Sequence, residues 1–209
     1  MTTRLGLISD VHSSPEPLRQ ALEIFRREKV DDIICAGDIA GYYDTLEPTI
    51  ALLHEYDCKA IVGNHDQSFL EKTGADEYPT ERAWLERLPE TLALEIEDKR
   101  ILVVHANPPS EQHGGIKLVD QHGELIQERL DLWREALVDF DRDVLIVGHT
   151  HQVYAEQLGN VFVVNPGSSV FNHSCMILSL PDLEVQTFAL ENQEIIKCWR
   201  FSMLHEQAS

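Results

Sequence analysis

The sequence predicts an α/β fold, and three observations carry this prediction. The N-terminal part alternates short apolar runs with amphipathic stretches, in the order strand, helix, strand, helix, strand. The second half is rich in short apolar runs separated by turn residues. Five short polar motifs each follow one of the apolar runs. Such an alternation is typical of a parallel sheet with crossover helices, which gathers the polar motifs at the ends of its strands.

The first five elements are defined by apolar spacing and by a helix start signal. Ser14-Pro15-Glu16 has the residue types that begin helices: an N-cap serine, a proline in the first turn and an acid beside it. Leu18, Leu22 and Phe25 follow at the spacing of one helix face. The predicted strands are residues 4–9, 31–36 and 59–62. The helix between the first two strands begins at Ser14, and the helix between the second and third spans residues 46–56.

The later elements follow from weaker patterns. Residues 67–88 are polar with scattered aromatic side chains and are predicted to form short helices. Residues 91–96 and 100–104 flank a charged turn, which indicates a hairpin. Residues 118–140 have apolar side chains at helical spacing and are predicted to form one long helix. Antiparallel strands are predicted at residues 143–147, 153–158, 161–164, 174–180, 184–190 and 195–201.

The net charge of −19 restricts the classes of ligand that the protein can bind. It argues against binding to nucleic-acid backbones, which needs a basic surface, and against binding to anionic membranes. It would also repel a phosphate substrate, unless bound cations reverse the charge locally as two divalent metal ions would. The composition therefore favours a metal-dependent enzyme that acts on small anions.

Chain organisation and cysteine usage indicate a cytoplasmic protein of one domain. No linker or internal repeat interrupts residues 1–209, which are expected to form a single domain. The sequence has no signal-peptide pattern and no apolar run long enough to span a bilayer. The four cysteines are scattered without a CxxC pair, as in proteins of a reducing compartment.

The five polar motifs supply the residue types of a two-metal hydrolytic centre. They are Asp10-Val11-His12, Gly37-Asp38, Gly63-Asn64-His65-Asp66, His105 and Gly148-His149-Thr150-His151. Asp10 and His12 are two residues apart, so on an extended segment both side chains lie on one face and can reach one ion. The Asp38 carboxylate has two oxygens and can bridge ions about 3.5–4 Å apart. Each motif alone occurs by chance, but five after successive apolar runs favour a metal site.

The order of these motifs resembles the signature of the calcineurin-like metallophosphoesterases. The resemblance covers residues 5–170. It includes Asn165-Pro166-Gly167-Ser168, which is similar to a motif of the compact bacterial and archaeal phosphodiesterase-like branch. It implies a four-layer αββα sandwich of two mixed sheets flanked by helices. The sequence departs from the family at Ala106, where Gly is frequent. It also lacks an Arg after Gly37-Asp38, which argues against the protein serine/threonine phosphatases and their dinucleoside-tetraphosphatase relatives.

The resemblance implies that seven of the motif side chains hold two divalent metal ions. Asp38 would bridge the two ions. The other six would form two sets of three: Asp10, His12 and His151 for the first ion, and Asn64, His105 and His149 for the second. Nitrogen and oxygen donors of this kind suit Mn, Fe, Co, Ni or Zn, and the sequence does not choose among them.

The resemblance also implies roles for residues that do not bind metal. His65 would stay unligated, face the substrate and donate a proton to the leaving oxygen. Asp66 would orient His65 and stabilise its positive charge. Asn64 and His65 are expected to contact the substrate, and Tyr42 is a further candidate for substrate binding.

The implied function is hydrolysis of a phosphodiester or nucleotide-type small substrate by attack of a metal-bridged hydroxide. A phosphomonoesterase acting on a small metabolite is the alternative. A binding scaffold is a third hypothesis, because a eukaryotic retromer subunit uses this fold with a degraded site, whereas no ligand position is lost here. The net charge disfavours a fourth, a DNA-processing nuclease. Oligomeric state and the roles of loops 67–88 and 106–116 are left open.

Overall fold

The fold consists of two mixed five-stranded sheets that pack face to face, with helices on their outer faces. The computed structural model describes residues 2–200 and residue 203. The elements in chain order are β1 (Thr3–Ile8), α1 (Pro15–Glu28), β2 (Asp32–Cys35), α2 (Leu46–Glu55), β3 (Lys59–Ala60), α3 (Asn64–Lys72), α4 (Pro79–Leu85), β4 (Thr91–Ile96), β5 (Lys99–Val104), α5 (Gln127–Ala136), β6 (Val144–Ile146), β7 (Val153–Leu158), β8 (Val161–Pro166), β9 (Ser174–Leu180) and β10 (Glu184–Ala189).

The two sheets are built from different parts of the chain. The first has the strand order β10-β9-β1-β2-β3, in which β1, β2 and β3 are parallel and β9 runs antiparallel to β1. The second has the order β4-β5-β6-β8-β7, in which β5, β6 and β8 are parallel. The three parallel strands of each sheet therefore end at one edge, where loops can carry a shared site.

The core has three apolar layers, one between the sheets and one under each set of helices. Leu5 and Leu7 of β1 point between the sheets, where they join side chains such as Val103 of the second sheet. Gly6 faces the other way, and a Cβ at this position would lie 2.8 Å from the ring of Phe25 in α1. The glycine thus allows α1 to pack closely on the strand that leads to the candidate site.

Most of the predicted elements are confirmed. The β-α-β-α-β alternation forms a parallel unit, residues 67–88 contain α4 and most of α3, and the hairpin is β4 and β5. The two mixed sheets with flanking helices confirm the α/β sandwich that the family resemblance implied. None of the helices in the described part of the chain is long and apolar enough to cross a bilayer. All four cysteines are free thiols.

The long helix predicted at residues 118–140 is wrong, because the helix begins only at Gln127 and ends at Ala136. Residues 118–126 form a turn instead. Asp120 Oδ1 accepts the backbone N–H groups of His122 and Glu124, at 2.8 and 2.9 Å, and Gly123 has φ of +82°. An aspartate that bonds its own backbone competes with helix formation, and apolar spacing does not reveal this.

The antiparallel pairing predicted for the second half is partly wrong. β6 and β8 pair in parallel in the second sheet. β9 and β10 belong to the first sheet, which they extend by antiparallel pairing. The strand predicted at residues 195–201 is absent from residues 195–200, which have only an isolated bridge between Cys198 and Gln152. Position 201 lies outside the described residues. Pairing partners depend on which sheet buries a strand, and local sequence does not specify this.

Candidate metal centre

The loops that follow strands of both sheets converge at one edge of the sandwich. Asp10 and His12 follow β1, Asp38 follows β2, and Asn64 is the first residue of α3 after β3. The second sheet contributes His105 after β5, together with His149 and His151 after β6. Each of the seven predicted ligands therefore lies beyond the carboxyl end of a parallel strand, where open α/β sheets bind ligands.

The backbone at these residues adopts a conformation that is uncommon for side-chain-bearing residues. Five of the predicted ligands have positive φ angles: Asp10 (52°), His12 (48°), Asp38 (55°), His149 (64°) and His151 (48°). The left-handed region costs free energy for residues other than glycine, and residues held there cluster at functional sites. The loops thus turn sharply after each strand and direct these side chains into one place.

The first cluster consists of Asp10, His12 and His151, all of which are buried. His151 Nε2 lies 3.1 Å from Asp10 Oδ1 and 3.2 Å from His12 Nε2. A carboxylate oxygen and two imidazole nitrogens that lie this close together can all be ligands of one ion. This donor set fits a divalent cation.

The second cluster consists of Asp38, His105 and His149, with Asn64 between the two rings. Asn64 Oδ1 lies 3.0 Å from His105 Nε2 and 2.8 Å from His149 Nδ1. Asp38 Oδ1 lies 3.3 Å from His105 Nε2. One amide oxygen, one carboxylate and two imidazoles therefore face a common point, as the ligands of one ion would.

The hydrogen bonding of His105 tests whether a cation fits between these groups. His105 Nδ1 lies 2.8 Å from Ala36 O, so Nδ1 must carry the proton that this bond needs. A neutral ring then presents its Nε2 electron pair to the acceptor oxygens of Asn64 and Asp38. Such contacts repel unless a proton or a metal ion lies between them. A backbone carbonyl that fixes the far nitrogen of a histidine is also the usual support of a metal ligand.

Burial and mutual charge set the ionisation of the site. Burial lowers the pKa values of His12 and His149 to about 4, so both rings are neutral at physiological pH, the form that binds metal. Burial alone would raise the pKa values of Asp10 and Asp38, but nearby histidines outweigh it and hold both values below the usual range. Burial lowers the pKa of His105, and the Asp38 carboxylate more than reverses this to about 9.

His65 lies beside both clusters. A ring nitrogen of His65 lies within 4.8 Å of ligand atoms of His12 and Asp38, and its backbone N–H donates to Asp38 Oδ1 at 2.8 Å. The ring of Tyr42 packs against it at a centroid distance of 4.8 Å. His65 is half-buried and lines the cleft, so its imidazole can reach a bound substrate.

Asp66 does not contact His65 as the sequence predicted. Its carboxylate is fully buried and accepts backbone N–H groups from Ala40 at 2.7 Å and from Gly63 at 2.8 Å. Neither oxygen bonds to His65 among the described residues, because adjacent helical residues point in different directions. Burial, followed by the Asp38 charge, raises the pKa of Asp66 to about 7. Asp66 therefore fixes the loop after β2 to the start of α3 through these two backbone hydrogen bonds.

Tyr42 lies at the mouth of the site, with 43% of its surface exposed. Its ring centroid is 4.7 Å from that of His12 and 5.3 Å from that of Phe171. The ring therefore borders the cleft, and substrate contact by Tyr42 stays a prediction.

The Asn165–Ser168 segment holds the ligand loops in place. Asn165 Nδ2 donates to Gly148 O at 2.9 Å, and Ser168 Oγ donates to Asp10 O at 2.6 Å. These contacts join the end of β8 to loops of both sheets. The segment resembled a family motif in the sequence, and its physical role here is to satisfy backbone carbonyls at or beside the predicted ligands.

A cleft of about 690 Å³ opens over the clusters, and sequence reasoning missed part of its wall. Its lining includes Asp38, Asn64, His65, His149 and His151 from the motifs. It also includes the basic residues Lys117, Arg129 and Arg200, and the aromatic residue Trp199. No short-range motif marks these four residues, since they come from a loop, a helix and the C-terminal segment. Nothing in the sequence alone could have placed them at the cleft.

Comparisons with known proteins agree with the geometry. Residues 3–180 match the Calcineurin-like phosphoesterase superfamily domain, which confirms the resemblance seen in the sequence. A phosphodiesterase of Methanocaldococcus jannaschii is 26% identical over 175 residues, which cover 78% of this chain and 82% of the relative.

Solved structures share the fold. A hypothetical protein of Pyrococcus horikoshii superposes with a TM-score of 0.74 at 16% identity, covering 98% of this chain and 92% of that protein. A structure described as a novel archaeal phosphodiesterase has a TM-score of 0.61 at 23% identity. The superposition covers 90% of this chain and 100% of that protein. At these identities the similarity concerns the fold alone.

Proposed function

Since the chain belongs to the calcineurin-like phosphoesterase superfamily and is thus a metal-dependent phosphoester hydrolase, we propose that it uses two divalent ions to hydrolyse a phosphodiester or nucleotide-type small substrate. The observation that carries the proposal is the pair of side-chain clusters beside Asp38, each with ligand atoms within 4.8 Å of one another. Two ions at these clusters would bind phosphoryl oxygens and lower the pKa of a bound water.

The ligand assignment follows the two clusters. Asp38 would bridge the two ions, and the remaining ligands would be Asp10, His12 and His151 for one ion and Asn64, His105 and His149 for the other. The short distances among these atoms support the assignment, as does the place of His105 Nε2, which faces two acceptor oxygens and needs a proton or a metal ion between them. The identity of the metal among Mn, Fe, Co, Ni and Zn depends on availability.

Three side chains contact the substrate in this proposal. His65 donates a proton to the leaving oxygen, and its half-buried place beside Asp38 supports this role. Asn64 and Tyr42 contact the substrate together with His65, since all three line the cleft. Asp66 positions His65 indirectly by holding Gly63 and Ala40, the residues that flank the start of α3 and the loop after β2.

A diester is the favoured substrate because the Methanocaldococcus relative is named a phosphodiesterase. The volume of the cleft is within the range of small-molecule sites, and the net charge of −19 disfavours nucleic acid. We further propose that residues 1–209 act as one domain in the cytoplasm. The four free cysteines support this location.

Metal analysis combined with a substrate panel tests the proposal. Protein purified without chelator, or reconstituted with Mn²⁺, should hold two metal ions per chain and hydrolyse bis(p-nitrophenyl) phosphate faster than p-nitrophenyl phosphate. Asp38→Asn should lower kcat/KM for the diester by about 100-fold or more, because it weakens both ion sites. Asp76→Asn, which removes the same charge from an exposed loop, is the matched control.

Each other outcome would contradict the proposal or favour a different function. Fewer than two metal ions per chain after reconstitution would contradict the dinuclear proposal. Faster hydrolysis of the monoester would favour the phosphomonoesterase. Two tightly bound ions without hydrolysis of any phosphoester would favour a binding scaffold.

A further inference from the structure

Three basic side chains share the cleft with the metal clusters. They are Lys117 in the loop before α5, Arg129 in α5 and Arg200 in the C-terminal segment. The same cleft of about 690 Å³ is bordered by Asp38 and His149, so a ligand bound at the metal centre also faces these cations.

The C-terminal segment, residues 191–200, is held firmly against a metal-ligand loop although it lies beyond the family match at residues 3–180. Trp199 N donates to His151 O at 3.0 Å, and Val153 N donates to Lys197 O at 2.9 Å. The Trp199 ring is buried and stacks on Phe171 at a centroid distance of 4.2 Å. These contacts bring the neighbouring Arg200 into the wall of the cleft.

Gln152 joins this segment to the loop that carries Lys117. Its buried side chain accepts the N–H groups of Leu118 and Val119 at 2.8 and 3.1 Å, and its amide donates to Cys198 Sγ at 3.6 Å. Because Gln152 follows the predicted ligand His151, the cations and the metal centre share one hydrogen-bonded frame. A frame of this kind holds a ligand-binding geometry better than a free loop does.

Two of the cations are also fixed by their own hydrogen bonds. Arg129 Nη1 donates to Val119 O at 3.1 Å, and Arg200 Nη1 donates to Gln121 Oε1 at 3.3 Å. Each of these bonds uses a neutral acceptor and leaves most of the guanidinium donors unused. Both side chains are therefore oriented while their charge stays available.

The charge of the three cations is not neutralised within the described part of the chain. Lys117, Arg129 and Arg200 are exposed, and none of them pairs with an acidic side chain there. Asp120, an acid in the cleft wall, directs Oδ1 at the backbone of its own turn. In a chain of net charge −19, three unpaired cations beside an anion-processing centre indicate a ligand that carries a second negative group.

We propose that Lys117, Arg129 and Arg200 form a second anion-binding subsite, which takes a further phosphate group of the substrate. The enzyme then prefers phosphodiesters that carry an additional phosphate over those that do not. The inference rests on the proposed function, because it assigns the first phosphoryl group to the metal centre. It adds a specificity determinant contributed in part by the C-terminal segment.

Two matched substrates test the subsite. One is the p-nitrophenyl ester of thymidine monophosphate, and the other is the same ester with a further phosphate on the remaining sugar hydroxyl. The wild type should have a kcat/KM about tenfold higher for the second ester, as one or two charge-assisted bonds would give. Arg200→Gln, Arg129→Gln and Lys117→Gln should each reduce this ratio about three- to tenfold, and added salt should also reduce it.

Arg87→Gln is the control, since it removes an equally exposed positive charge outside the cleft and should leave the ratio unchanged. A wild-type ratio of kcat/KM near one for the two esters would overturn the subsite. Hydrolysis of the simple ester would in that case still uphold the proposed function. Ratios in the three variants equal to that of Arg87→Gln would likewise overturn it.

Calorimetric binding separates failure of the subsite from failure of the proposed function. Thymidine monophosphate and thymidine bisphosphate are titrated into metal-loaded wild type and Arg200→Gln. If neither ester is hydrolysed, the proposed function is wrong. Tighter binding of the bisphosphate by the wild type, lost in Arg200→Gln, would then still support the subsite, and equal affinities would overturn it.

Discussion

At the scale of the residue, His65 and Asp66 are neighbours in sequence whose side chains point in different directions and make different contacts. His65 faces the cleft beside Asp38, whereas Asp66 turns inward and bonds two backbone N–H groups. Sequence predicted that both matter, because the motif residue types are those of a metal-dependent site. It did not predict their directions, since side-chain direction follows from how α3 begins and packs.

His65→Ala is expected to keep both metal ions and to lose turnover. Removal of a general acid should lower kcat by about 10²–10⁴ on a diester with a poor leaving group, and less with p-nitrophenolate, which needs no proton. The measurements are kcat on both leaving groups and elemental analysis. His54→Ala, an exposed histidine of α2, is the control.

Two results would contradict this role. Near-wild-type kcat on the poor leaving group would show that His65 is not the proton donor. Loss of one metal ion would make His65 a ligand, which its approach to His12 and Asp38 within 4.8 Å also permits.

At the scale of the element, the turns after the strands determine whether the ligands meet. Gly63 and Gly148 each lie where a neighbouring loop approaches: a Cβ at Gly63 would overlap the Asp38 carboxylate, and one at Gly148 would overlap Ser9 Oγ. Glycine here allows loops from different strands to approach within bonding distance. The geometry of the candidate metal centre therefore depends on backbone contacts as well as on the predicted ligands.

Gly148→Ala should weaken metal binding without removing a ligand. The added methyl group would lie 2.8 Å from Asp10 Oδ2 and would force Asp10 or the His149 loop to shift. We expect metal affinity to fall about 10–100-fold and the free energy of unfolding to fall by about 1–3 kcal/mol. Metal titration by calorimetry and urea unfolding measure the two effects.

Gly74→Ala is the matched control, because the nearest atom to its Cβ would be Glu77 Oε1 at an ordinary 3.7 Å. Equal metal affinity in the two variants would show that close approach at Gly148 is unimportant.

At the scale of the whole molecule, the candidate metal centre joins the two sheets. The first sheet supplies Asp10, His12, Asp38 and Asn64 through its loops, and the second supplies His105, His149 and His151. Bound ions would therefore connect loops that belong to separate halves of the sandwich. Metal loading should accordingly stabilise the folded state as a whole.

Metal removal is expected to lower the melting temperature. At a free-ion concentration about 100-fold above Kd, each site contributes about 2.7 kcal/mol to the free energy of unfolding, and chelation removes this contribution. Scanning calorimetry with Mn²⁺ and with chelator measures the difference. It should shrink in Asp38→Asn but not in Asp76→Asn, and an equal difference in both variants would contradict a centre held by Asp38.

The sequence by itself determined the parallel strands β1, β2 and β3, the hairpin and the residue types of the candidate metal centre. Apolar periodicity and motif order can be read directly from the sequence, without knowledge of tertiary contacts. Tertiary structure alone decided that β9 and β10 join the first sheet and that Arg200 returns to the cleft beside Lys117. These features depend on contacts between residues far apart in the chain, and no local pattern encodes such contacts.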